Sequence, residues 1–106
     1  MPGMPLGLRL IIYGLGIVYE ATMIGIGTAA SLMARARGDR ALRVLGLGFL
    51  LIGIGDLMHT LGHVATDVAP SLWSAYAFEV LSTALSITLA TAFFTTLRLY
   101  VNLARE

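Results

Sequence analysis

The segment IGDLMHTLGH, residues 54–63, carries Asp56, His59 and His63 at helical offsets of zero, three and seven, which puts all three on one side of a helix. Glu79, Ser82, Thr83 and Ser86 repeat the pattern further along, and Glu20 supplies a third carboxylate within an apolar run. Several chemistries suit such a set. Glu20, Asp56, His59, His63 and Glu79 can bind or pass a cation, most simply a proton, because imidazole titrates near neutrality and a low dielectric favours the neutral carboxylic acid. His59 and His63, one turn apart, can grip zinc or iron, with Asp56 or Glu79 completing three protein ligands and a fourth position left for water. Such a centre suits a hydrolase acting on a lipid or another membrane-soluble substrate. Either histidine can also be an axial haem ligand, but two on one helix face cannot take opposite sides of one haem, so a second subunit must contribute. The plainest reading is that the acids and imidazoles only pair with each other, in a structural or assembly subunit.

The chain around these groups is that of a membrane protein. Of its 106 residues 58% are hydrophobic and 12% charged, and the mean hydropathy is +0.86, far from ordinary soluble domains. A charged side chain at mid-bilayer costs ~2.5–3.5 kcal/mol on insertion scales, so the acids above need partners, protons or water. All seven basic residues are arginine, and Arg35, Arg37, Arg40 and Arg43 cluster around Gly38 and Asp39. A net charge of +1 with that one basic cluster disfavours nucleic acid as a partner. The absence of cysteine removes disulfides, thiolate metal sites and iron–sulfur clusters.

Three apolar stretches, at about 6–34, 44–65 and 72–101, are each long enough to cross a hydrocarbon core of ~30 Å at ~1.5 Å per residue. Backbone groups in lipid must be satisfied internally, which makes each stretch a helix. The expected fold is all-α, an integral membrane three-helix bundle forming one transmembrane domain over residues 1–106. The segment ARARGDRALR links the first two spans and TDVAPS the second and third, with Pro70 stopping one helix and Ser71 capping the next. The excess of arginine in the first linker puts it in the cytoplasm, so the N-terminus lies outside and the C-terminus inside, with Arg98 and Arg105 in agreement. Arg9 sits near the outer end and is expected to snorkel to the interface. Trp73, Tyr76 and Tyr100 fall where aromatic belts form.

Glycines recur as doublets at 14 and 16, 25 and 27, 46 and 48, and 53 and 55. Gly48, Gly55 and Gly62, spaced by seven, form a smooth stripe that lets a neighbouring helix approach closely. Phosphate-loop use is disfavoured, since no strand precedes these glycines and no Lys follows. Three helices bury little surface among themselves, so assembly with copies of the chain or with other membrane subunits is expected, besides the lipid bilayer itself.

Two resemblances attach to these residues. His59 and His63 with Asp56 resemble part of the ligand set of the intramembrane zinc hydrolases that include alkaline ceramidases and adiponectin receptors. That family has seven spans and a Ser-x3-His element, neither of which occurs here. The segment from Gly55 to His63 is also similar to a G-D-x-x-H-x-x-x-[RH] stretch of uncharacterised multi-pass bacterial membrane proteins, which covers under half of the chain and implies no activity. The residues thus favour a small polytopic membrane subunit whose polar cluster binds or conducts a cation.

Overall fold

The computed structural model describes residues 3–68 and 73–106, with side chains described at 3–68 and 76–106. It contains three helices, α1 (Leu6–Arg37), α2 (Arg40–Val68) and α3 (Trp73–Ala104), each long and apolar enough to span a membrane. Pro70, Ser71 and Leu72, expected at the second turn, and the Trp73 side chain lie outside the described residues.

The helices outrun the expected spans where polar residues were read as linker. Arginine and alanine are strong helix formers, so α1 continues through Arg37 and α2 begins at Arg40, leaving Gly38 and Asp39 as the whole connection. Gly38 adopts φ +66°, the left-handed cap that ends a helix, and the Asp39 carboxylate accepts the Leu42 backbone N–H at 3.1 Å to start the next. At the far end Thr66, Asp67 and Val68 belong to the last turn of α2.

The bundle is open. α2 lies in the middle, packed on one flank against α1 and on the other against α3, and among the described residues no Cα atoms of α1 and α3 come within 8 Å of each other. Two rows spaced by seven on α2 make this possible. Gly46, Gly53 and Thr60 face α1, where an added Cβ at Gly46 would lie 2.9 Å from the Ser31 backbone nitrogen and one at Gly53 would lie 2.9 Å from Ile24 Cγ1. Gly48, Gly55 and Gly62, the stripe expected from sequence, face α3 along Phe93 and Thr96, Ser86 and Leu89, and Glu79 and Ser82 respectively. On α1 the facing row is Tyr13, Glu20, Gly27 and Ala34, of which the last three are buried. A seven-residue repeat on every seam is the pattern of helices that stay in contact along their length in coiled-coil fashion.

The remaining two sides of α2 differ. Leu47, Ile54, Leu61 and Val68, again spaced by seven, are exposed and apolar, the side suited to lipid. On the other side Leu45, Ile52, Asp56, His59 and His63 are half-buried between the flanking helices. The polar groups therefore occupy a trough over α2 rather than the centre of a closed bundle.

Candidate functional site: a hydrogen-bonded histidine pair and its carboxylates

His59 and His63 touch through their Nε2 atoms at 3.0 Å, with the rings edge to face. His63 Nδ1 lies 3.0 Å from Glu79 Oε1 on α3, and His59 Nδ1 lies 3.4 Å from the Thr83 hydroxyl on the same helix. Thr66 Oγ1 stands 2.7 Å from the other oxygen of Glu79. These contacts join into a chain, Thr83 to His59 to His63 to Glu79 to Thr66, that crosses three times between α2 and α3. The buried Gly62 admits it: with no side chain there, Ser82 and Glu79 pack directly on α2, and Ser82 is 1% exposed.

Donor and acceptor roles follow from counting protons. With both imidazoles neutral, Thr83 donates to His59 Nδ1, His59 Nε2–H donates to His63 Nε2, and His63 Nδ1–H donates to the Glu79 carboxylate. With one added proton the first two bonds reverse: His63 becomes imidazolium, its Nε2–H donates to His59, and His59 Nδ1–H donates to Thr83. A second added proton would set two N–H groups against each other at 3.0 Å. The histidine pair itself has room for one extra proton in this arrangement, and a second on the pair would break the Nε2–Nε2 contact.

α1 closes this network at the end away from the arginine turn. The Tyr13 ring stacks on His63 with centroids 6.2 Å apart, and its hydroxyl donates to Asp67 Oδ2 at 2.6 Å. Arg9 pairs with the other Asp67 oxygen at 3.2 Å. Arg9 is thus held by an ion pair within the helices where free snorkelling was expected, because α2 extends far enough to bring Asp67 alongside it. Sequence reasoning placed Asp67 in a loop and missed this contact. Tyr13→Phe should destabilise the helix assembly by about 1 kcal/mol, with Arg9→Gln non-additive to it; a double-mutant cycle of unfolding free energies checks both.

Glu20 and Asp56 stand apart from the chain. Glu20 is buried at 5% exposure in the α1–α2 seam, and Thr60 donates to its Oε1. Its Oε2 is buried without a hydrogen-bond partner among the described residues. Asp56 and His59 are near enough to act electrostatically on Glu20, yet Asp56 makes no hydrogen bond or ion pair among the described residues. Of the five expected site residues, His59, His63 and Glu79 are joined by contacts, Glu20 lies in the α1–α2 seam, and Asp56 is half-buried in the trough.

No protein-family model, curated protein or solved structure matches this chain. Fold-level analogy therefore adds nothing to the residue chemistry, and the segment resemblances above acquire no family. As for metal, no group of three or more His, Asp or Glu side chains placed to hold an ion occurs among the described residues. His59 and His63 direct Nε2 at each other, and Asp56 does not join them. This geometry lends zinc or iron, expected on His59, His63, Asp56 and Glu79, no support.

Nearer the arginine turn the polar residues are spent within their own helices. Thr28, Ser31, Thr88, Thr91, Thr95 and Thr96 each donate to the carbonyl four residues back, at 2.7–3.1 Å. None of these bonds links one helix to the next.

Proposed function

We propose that this membrane protein takes up a proton on the histidine pair and passes it between His59 and Glu79. The observation that carries the reading is the unbroken chain from Thr83 through His59 and His63 to Glu79, in which every bond has a consistent donor and acceptor in two charge states. A proton arriving at His59 Nδ1 leaves on Glu79 after one concerted shift: the His59 Nε2 proton moves to His63 Nε2 and the His63 Nδ1 proton moves to the carboxylate. Charge on the imidazole is offset by Glu79 at 3.0 Å, so the extra proton need not sit uncompensated in lipid. The excess of arginine at the α1–α2 turn supports a cytoplasmic location for that turn, which sets the relay in the outer half of the membrane with the N-terminus outside. In that orientation the polar path stops short of the cytoplasmic side, and copies of the chain or other membrane subunits would supply the rest.

Solid-state NMR of histidine-labelled protein in bilayers tests the reading. The expected result is direct coupling between the two Nε2 nuclei and a titration in which the pair gains one proton, not two. Two independently titrating imidazoles with no coupling would overturn it.

A further inference from the structure

The two helix ends that meet at Gly38 and Asp39 carry Arg35, Arg37, Arg40 and Arg43, all exposed. None of the four has an ion pair or a side-chain hydrogen bond among the described residues, and Asp39, the one acid beside them, spends a carboxylate oxygen on the Leu42 N–H. The tight turn brings three of these side chains to one place. Arg35 from the end of α1 and Arg40 and Arg43 from the start of α2 line a cavity of about 120 Å³, with Gly38 and Asp39 in its wall. Three guanidinium groups against one carboxylate leave it with an excess of positive charge that nothing in the chain answers.

Position selects the ligand. Helices of 32 and 29 residues run for ~48 and ~44 Å, longer than a hydrocarbon core of ~30 Å, so their joined ends reach the headgroup layer. Arg40 and Arg43 precede Leu47 by seven and four residues, which puts them at the head of the exposed apolar side of α2 that continues through Ile54. An anion in the cavity thus has a strip of apolar helix running from it into the hydrocarbon, which suits an acyl chain and offers nothing to a free ion. Guanidinium forks match phosphate oxygens in pairs, and a phosphate monoester carries about −1.5 to −2 charges at neutral pH, more than a diester. We propose that the cavity at the α1–α2 turn is a lipid site that seats a phosphate monoester headgroup between Arg35, Arg40 and Arg43, with an acyl chain along Leu47 and Ile54. It lies at the opposite end of α2 from Asp67 and is independent of the relay, so either can fail while the other stands. α3 ends on the same side of the bundle, but its Arg98 and Arg105 share a shallow surface with apolar residues and Asn102 of that helix alone.

Native mass spectrometry of the full chain, released from detergent micelles holding equal amounts of phosphatidic acid, phosphatidylglycerol and phosphatidylcholine of one chain length, tests the site. One phosphatidic acid per chain should be retained, in preference to phosphatidylglycerol by about fivefold or more. Replacing Arg40→Gln and Arg43→Gln together should lower that retention by about tenfold or more, through the loss of two charge-assisted contacts. Arg98→Gln with Arg105→Gln removes the same charge from the same end and should change it by less than about twofold, since exposed charges at a distance are screened. Arg40→Lys with Arg43→Lys keeps the charge without the forks and should erase the preference between the two anionic lipids. Inorganic phosphate should not displace the lipid. Equal retention of the two anionic lipids by the wild type, equal losses in the two glutamine pairs, or displacement by inorganic phosphate would each overturn the site.

Discussion

Gly46→Ala and Gly27→Ala should each weaken the docking of α1 on α2 by about 1–3 kcal/mol, the range for forcing extra volume into a packed interior. The two glycines meet each other. A Cβ at Gly27 would lie 2.8 Å from the Gly46 carbonyl oxygen and 2.8 Å from the Leu50 nitrogen, and one at Gly46 would lie 3.0 Å from the Gly27 carbonyl oxygen. The obstructing atoms are backbone, which cannot rotate aside, so the helices must separate along the seam and lose contact over neighbouring residues. In lipid that contact is the main attraction, because the tails outside are as apolar as the side chains within. Gly25 provides the control: it is two residues from Gly27 on the same helix, and a Cβ there meets nothing within 4 Å. Gly25→Ala should leave stability unchanged or slightly raised, through better helix propensity. Unfolding free energies from detergent titration in bicelles compare all three, and equal behaviour of Gly25→Ala and Gly27→Ala would refute the close seam.

The second large effect belongs to the relay. His63 stands between His59 and Glu79, so His63→Ala removes two links at once. Glu79→Gln keeps the shape but substitutes an amide that cannot accept the proton as a carboxylate does. In vesicles containing the assembly extracted with its native lipids, pH-driven proton flux should fall at least tenfold in both variants, a barrier increase of ~1.4 kcal/mol or more. Thr91→Val serves as the comparison, since its hydroxyl donates only to Ile87 within α3 and should be dispensable. Wild-type flux in the His63 and Glu79 variants would remove these residues from the path.

Much of the helix layout was legible because it rests on length, apolar content and period. The spans and the stripe of Gly48, Gly55 and Gly62 follow from counting residues along helices, as does the pairing of an acid with an imidazole, though not which acid meets which histidine. What counting cannot supply is the neighbour on each side. Asp56, His59 and His63 share a face, but offsets of three and seven spread them over an arc of that face, enough for His59 to meet α3 while Asp56 makes no hydrogen bond or ion pair among the described residues. The second α2 row escaped notice because Thr60 completes it: Gly46 and Gly53 read as members of doublets until Thr60 is seen to reach Glu20. Arg9 and Asp67 were misplaced for a related reason. Hydropathy marks where lipid ends and says nothing of how far a helix continues, so the last turn of α2 was read as loop.

Among the described residues the backbones of α1 and α3 stay more than 8 Å apart, so the helices pack through two interfaces that share α2. Damage to one interface need not propagate to the other, and distant changes on α1 and α3 should combine by simple addition. The central helix has no such freedom. It carries a glycine row for each neighbour, an exposed apolar face and a face of half-buried polar groups, so substitutions along α2 meet constraint on every side, whereas the outward positions of α1 and α3 are free to vary.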